Sequence, residues 1–464
     1  MATQSGFSNL GLAIIGVGHQ YPPHSLKSDS LETLSKRFYP ESPAMSKVLA
    51  INRYTGIDAR SSIGTPDHPL VNQERAPSIA DLNAIFFAEG VPLAVSAARK
   101  AIAEARIDLA QITHVVSATC TNSANPGFDL AVVKALGIVQ PVEKVLLHGI
   151  GCSGGLAGLR TAANLALGHS MRGKPARILV VALELSTMMV RSELDSIHEH
   201  QETRIGVALF SDCGSALVLS NGISESAEPI YELLGWDHRI IPDSEEDLGF
   251  DVDPVGWKVV LSQRVPKLTA AQLPSTFADL VASVPELPPS FQAAADFDWA
   301  MHPGGATILT GAERTMGITP EHMRASYDTY IKHGNSSSAT IFSVLDRLRE
   351  KDMDAIAPGG HPKEYIIGCA FGPGIAVETC VLKRNMGSSG LDTPPETESE
   401  ASHSEVGDID DAVLQKCVKM GNNAAEPAVP VLVQNSPEPM PTTASSGTQY
   451  EQFIVSTIDA VELD

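Results

Sequence analysis

The stretch VLLHGIGCSGGLAGLRTAANLALGHSMRGKPARILVVALEL, residues 145–185, reads as strand, glycine-rich turn, helix and strand. VLLHGIG is a short apolar run of strand length. The Ala/Leu-rich segment 153–168 has helical composition, and RILVVALEL (177–185) is apolar on both faces, with charge only at Arg177 and Glu184. A strand without polar alternation is covered on both faces, as in a sheet sandwiched by helices. The same signature recurs in ITHVVSAT (112–119), SALVLS (215–220), EYIIGCAF (364–371) and IAVETCVL (375–382). Helical stretches are expected at 91–106, 128–136 and 307–317. Alternating buried strands and helices give an α/β class. DCGSALVLS and GPGIAVETCVL, both small-residue turns entering strands, hint at a duplication.

The outer parts of the chain read differently. LGLAIIGVG near the N-terminus has no basic segment before it and reads as a buried strand, not an export signal. The segment 223–296, with IPDSEEDLGFDVDPVGW inside it, reads as an irregular connector with a strand pair. Residues 386–464 hold 14 Asp/Glu against 2 Lys, hence −12, of a total of −22 over 464 residues. With seven prolines and two aromatics, that tail buries too little apolar surface to offset ordering entropy, so disorder is expected. The body is only mildly acidic, and the sign argues against nucleic acid as a ligand. No apolar run reaches the ~18–20 residues of a membrane helix. Six scattered cysteines without a CxxC pair argue against a zinc or redox motif, and the cytosol is the expected compartment.

Three junctions carry candidate chemistry. Cys152 follows the apolar run and precedes a Ser-Gly-Gly turn and a helix. A helix N-terminus favours negative charge and lowers a thiol's pKa. The bland reading is one more buried cysteine. His302, in FDWAMHPGGATIL (297–309), stands at a strand end before Pro-Gly-Gly. A lone histidine is more often structural. Asn335, in HGNSSSATIFSVL (333–345), is either an ordinary helix cap or an amide donor aimed into a site. No GxxxxGK[ST] follows the first junction, so a nucleotide loop is disfavoured.

Together, GCSGGLAGLR, ALFSDCGSALVL, HPGGATIL, GNSSSATIFSVL and CAFGPGIAVET resemble the chalcone-synthase-like, or type III, polyketide synthases of the thiolase superfamily, in their fungal form. The resemblance covers residues from about 10 to 385. It implies a thiolase-like fold, two duplicated βαβαβ-type halves giving a layered αβαβα core. It implies an N-terminal half at 1–222 with the nucleophilic cysteine and a C-terminal half at 223–385 with the histidine and asparagine. The tail, 386–464, lies beyond it and is expected to be dispensable for chemistry. Cys152 would accept an acyl group from a CoA thioester and form an ion pair with His302. His302 and Asn335 would hold the enolate made when malonyl-CoA loses carbon dioxide. The resemblance implies a homodimer and neither metal nor organic cofactor.

The resemblance also assigns substrate contacts. Phe210 matches the gating aromatic. Ser186, Met188, Met189, Cys120, Thr121, Asn125 and Phe371 match cavity positions, and Asn125 a side chain that crosses the dimer interface. The small Ser186 and two methionines suit a long aliphatic starter. Val259 falls where plant members carry a second gating Phe, and Ala370 where the family usually has Gly, adding a methyl near the cavity. Lys47 and Arg53 are the nearest matches to residues meeting the CoA phosphates. The expected activity is iterative condensation of an acyl-CoA, long-chain by preference, with malonyl-CoA to alkylpyrones, alkylresorcinols or alkylresorcylic acids. The alternatives are a single-condensation 3-ketoacyl synthase, a Cys–His thioester hydrolase and a non-catalytic scaffold.

Overall fold

The computed structural model describes residues 9–387 except 225–226 and 254–255, and no side chains in 251–257. The tail readings therefore lie outside the described residues. The described strands are β1 (Ala13–Gln20), β2 (His24–Leu26), β3 (Arg60–Ser62), β4 (His114–Ala118), β5 (Glu143–Leu147), β6 (Arg177–Leu185), β7 (Asp212–Ser220), β8 (Tyr231–Ile240), β9 (Leu248–Asp253), β10 (Gly256–Leu261), β11 (Asp298–Met301), β12 (Tyr365–Gly372) and β13 (Ala376–Arg384). Nine of them form one mixed sheet, in the order β11-β12-β13-β8-β1-β7-β6-β4-β5. All residues of β6, β7 and β12 are buried, as runs without polar alternation require.

The duplication is visible in the pairing. Outward from β1 the order is β1-β7-β6-β4-β5, and outward from β8 it is β8-β13-β12-β11. Each block thus pairs its first strand with its last. The next pair is antiparallel in both, β7 with β6 and β13 with β12. The pair after that is parallel in both, β6 with β4 and β12 with β11. The two blocks join through a short seam, Ala13 and Ile14 of β1 against Glu232 and Tyr231 of β8.

The helix Val91–Ala105 packs on β1 and β7 through fully buried Ala94, Ala97, Ala98 and Ala101. A Cβ on Gly16 of β1 would stand 2.0 Å from the Ala101 carbonyl oxygen, so only glycine permits this approach. With the preceding segment from Ile79 this helix runs 27 residues, and it is long and apolar enough to cross a membrane by length and composition. The sequence reading missed this because charged residues interrupt the run. Its alanine face lies on the sheet, as in a core helix.

The segment 223–296 is more ordered than its composition predicts. It holds β8, the β9–β10 hairpin and the helix Val265–Ala282. β8 reads poorly because it carries Asp237, His238 and Arg239. His238 Nδ1 lies 2.9 Å from Glu378 of β13, which Arg160 also engages at 2.7 Å. Partnered charges are tolerated at the seam where unpaired ones would not be. Pro266 sits in the helix's first turn, where its missing N–H costs nothing.

Candidate active site

Cys152 lies in the tight turn Gly151–Ser153 that starts the helix Gly154–Ser170. Two close approaches fix this turn. A Cβ on Gly155 would come within 2.6 Å of the Ser338 carbonyl oxygen, so the helix start presses on the Asn335–Ser338 segment. A Cβ on Gly372 would come within 2.2 Å of Ser153 Oγ, so the turn after β12 closes over the cysteine. Both halves of the fold therefore meet at Cys152.

The expectation of an acidified thiol changes here. Burial pushes the Cys152 thiol up to about 11, opposed by hydrogen bonds from the Ser337 hydroxyl and the Asn335 amide. His302 follows β11, with its N–H donating to the Cys369 carbonyl at 2.8 Å. Its side chain is buried, and neither ring nitrogen has a hydrogen-bond partner among the described residues. Burial alone pushes its pKa down to about 3. The expected thiolate–imidazolium pair is thus not drawn as a hydrogen bond. Burial disfavours the charged form of each group.

Asn335 combines both readings made of it. Its Oδ1 accepts from the Ser337 N–H at 2.8 Å, an ordinary cap. Its Nδ2 remains available and donates to the Gly304 carbonyl at 3.4 Å. Asn335 is also tied to the gate, since its N–H donates to the Leu209 carbonyl and its carbonyl accepts from the Ser211 N–H.

Cys152, His302, Asn335, Phe210, Val259 and Phe371 line one pocket of about 1240 Å³, its open mouth included. Ile51 and Tyr54, from the helix Pro43–Tyr54, stand in the same wall. A second cavity of about 340 Å³ shares Phe210, Gly206 and Val259 with the first and adds Ser186 and Met189. A third, about 330 Å³, shares Arg60, Thr187 and Val190 with the second and adds Met188 and Leu31. The second adjoins the first through the residues they share, and the third adjoins the second in the same way.

Cys120 and Thr121 lie beneath the cysteine. The Cys120 sulfur is 3.3 Å from Ser337 Oγ and 3.4 Å from the Glu184 carboxyl. Thr121 Oγ1 donates to Glu184 at 2.8 Å. Burial raises the Glu184 pKa against these hydrogen bonds. Asn125 is exposed and lines none of the three cavities.

Two of the named residues stand apart from the pocket linings. Ala370 lines none of the three cavities. Successive residues of β12 face opposite ways, and Ala370 packs with Leu156, Ile341 and Phe342 while Phe371 faces the pocket. Arg53 is exposed and bound to Glu32 at 2.6 Å, next to Tyr54 of the pocket wall. Lys47 lies one turn before Ile51 on the same helix stripe as Tyr54. Sequence reasoning also missed Ser337, Glu184 and Phe250. Phe250 stands opposite Val259 in the β9–β10 hairpin, its ring 6.1 Å from that of Phe210. An aromatic neighbour of Phe210 is therefore present, on the strand beside Val259. Among the described residues, one group has metal-ligand spacing, His114, Glu143 and His169. It lies at the far end of the helix that Cys152 begins, about 22 Å away at ~1.5 Å per residue.

Residues 45–222 match the N-terminal domain of the chalcone and stilbene synthases, and residues 232–385 match the C-terminal domain. The type III polyketide synthase pspB of Penicillium soppii is 40% identical over 393 residues, covering 81% of this chain and 96% of that protein. The acylalkylpyrone synthase csyB of Aspergillus oryzae is 38% identical over 385 residues, covering 82% and 96%. A type III pentaketide synthase from Neurospora crassa superposes with a TM-score of 0.80 at 70% identity, covering 81% of this chain and all of that one. The structure of CsyB bound to CoA superposes with a TM-score of 0.77 at 38% identity, with the same coverage. The chain therefore belongs to the chalcone and stilbene synthase family, with a thiolase-like fold, as a type III polyketide synthase of the fungal kind, an acyltransferase that condenses acyl groups with malonyl-CoA.

Proposed function

We propose that the chain loads a long-chain fatty acyl-CoA onto Cys152 and extends it iteratively with malonyl-CoA to alkylpyrones, alkylresorcinols or alkylresorcylic acids. The observation that supports this reading is the convergence of Cys152, His302 and Asn335 on one largely apolar pocket, which shares Phe210 with a smaller cavity beside Ser186 and Met189. In the loading step the Cys152 sulfur attacks the thioester carbonyl while His302 takes the thiol proton. CoA leaves as its thiol, with that proton returned. Malonyl-CoA then loses carbon dioxide, and the enolate oxygen is held by N–H donors of His302 and Asn335. Donors placed where charge develops lower the barrier without reorganisation. The neutral form that burial imposes on His302 suits this, because a neutral imidazole still donates one N–H. Phe210 and Phe371 form an apolar wall that disfavours the malonyl carboxylate and so favours its loss. The enolate carbon attacks the Cys152 thioester, and the lengthened chain returns to the cysteine.

In this reading, residues 1–222 bring the nucleophile and residues 223–385 bring His302 and Asn335. The channel with Ser186, Met189 and Met188 takes the starter's alkyl chain, and Lys47 meets CoA phosphate at the mouth. The enzyme works as a homodimer, with Asn125 at the interface, in the cytosol. Five free cysteines among the described residues agree with a reducing compartment. The test is a panel of acyl-CoA starters with malonyl-CoA, products read by mass spectrometry. Long-chain starters should give multiply extended, cyclised products. Products extended once would favour a 3-ketoacyl synthase, and hydrolysed starter alone a thioester hydrolase.

A further inference from the structure

We propose that His114, Glu143 and His169 form a binding site for a divalent transition-metal cation of the zinc type, apart from the condensation pocket. Their ligand atoms all lie within 4.8 Å of one another. Regular structure holds the backbones in place. His114 opens β4, Glu143 opens β5, and the two are paired Cα partners across the sheet. His169 occupies the last turn of the helix Gly154–Ser170.

The hydrogen bonds decide which ring nitrogens face inward. His169 Nδ1 lies 3.1 Å from the Pro175 carbonyl, which only accepts, so Nδ1 carries the proton. The Thr113 hydroxyl donates to the Arg177 carbonyl at 3.1 Å and accepts from the Arg177 N–H at 3.0 Å. Its hydrogen is committed, so it accepts from His114 Nδ1 at 2.8 Å. Both histidines therefore present an Nε2 lone pair to the same space. This is the arrangement in which an oxygen behind each ring orients a metal-binding imidazole. Glu143 adds a carboxylate, with Oε2 3.7 Å from His114 Nε2. Two lone pairs and an anion facing one another ask for a cation.

Chemistry narrows the cation. Two imidazoles and a carboxylate suit zinc and its neighbours, not calcium or magnesium. Tetrahedral coordination at ~2.0–2.1 Å needs ligand atoms about 3.3 Å apart. Glu143, 72% exposed, is free to swing inward and shorten these separations. The helix C-terminus favours positive charge, although Arg172, which donates to the Gly168 carbonyl there, brings a like charge that the ion must tolerate. A bound ion would tie β4 and β5, the free end of the sheet, to the helix that begins at Cys152. Solvent completes the coordination on the exposed side.

The test uses the full chain, its affinity tag removed and its metals stripped by chelator, titrated with zinc chloride in a calorimeter. We expect one zinc per chain, bound at least about tenfold more weakly by His169→Ala and by Glu143→Gln. Both positions are at the surface, so neither substitution threatens the core. Thr113→Val, which keeps the ligands but frees the His114 ring, should also weaken binding. X-ray absorption should show nitrogen and oxygen neighbours with imidazole scattering. Undiminished affinity in His169→Ala, or sulfur among the neighbours, overturns the assignment. So does an absence of zinc binding, which leaves His114 and Glu143 as a simple ion pair.

Discussion

The Ser337 hydroxyl donates to the Cys152 sulfur at 3.5 Å. The same oxygen lies 3.3 Å from the Cys120 sulfur, which leads on to Glu184. Cys152 thus rests on a buried polar chain ending in a carboxyl whose pKa burial has raised. Among the groups that act against burial on Cys152, the Ser337 hydrogen bond is the largest. Ser337→Ala should therefore push the thiol higher still. One hydrogen bond is worth roughly 0.5–1.5 kcal/mol, so alkylation of Cys152 at neutral pH should slow about two- to tenfold. Iodoacetamide labelling followed by peptide mass spectrometry measures this, and an unchanged rate removes Ser337 from the activation of the cysteine.

Asn335 has two tasks that a single substitution can separate. Asn335→Asp keeps an oxygen to accept from the Ser337 N–H, so the local turn should survive. It replaces the amide donor with a carboxylate, which repels a developing enolate. Malonyl-CoA decarboxylation should fall by about 10²–10³, the cost of losing one oxyanion donor. Cys152 should still accept an acyl group, visible as a mass increase on the intact protein. Decarboxylation at the parent rate would assign Asn335 to capping alone.

The proposed placement of the starter's alkyl chain in the cavities behind Phe210 makes starter length a graded property. Met189 lines the nearer space and Met188 the farther one. Met189→Trp should exclude long starters and leave short ones, while Met188→Trp should trim only the longest. Overpacking costs typically 1–3 kcal/mol, so thermal unfolding should accompany the assay. Equal chain-length profiles for both variants would place the alkyl chain elsewhere.

Ala370 marks how far a sequence can be read. The motif words placed Cys152, His302, Asn335 and Phe210 in one pocket, because each sits at a glycine- or serine-rich junction with recognisable neighbours. The strands β6 and β12 were legible because full burial writes a continuous apolar run. β8 was not, because its charges are partnered, His238 with Glu378 of β13 and Arg239 with Asp237 and Asp279. The orientation of Ala370 was not legible either. A one-residue step in a strand reverses the face, and the motif does not state the register. Phe250 was hidden in the same way, since cross-strand pairing in the β9–β10 hairpin brings it opposite Val259. Ala370→Gly should therefore leave the product pattern unchanged and cost roughly 0.5–1 kcal/mol of stability. A changed ring-closure or chain-length pattern would return Ala370 to the cavity.

Glu193 links the channel wall to pH. Its Oε1 accepts from the Val259 N–H at 3.0 Å, while its Oε2 is buried with no hydrogen-bond partner among the described residues. Burial raises its pKa from 4.5 to about 7. A raised acid binds its proton more tightly in the folded state than in the unfolded chain. Its favourable contribution is therefore complete below about pH 4.5 and is lost as pH climbs through 7. Above that, ionised Glu193 costs the fold about 3 kcal/mol, at ~1.4 kcal/mol per pKa unit. Glu193→Gln keeps an acceptor for Val259 and removes the ionisation. The variant should match the parent near pH 4.5 and exceed it in urea-unfolding stability at pH 8.5, with the gap opening between. A gap that closes or reverses with rising pH would mean that the carboxylate has a cationic partner in the folded chain.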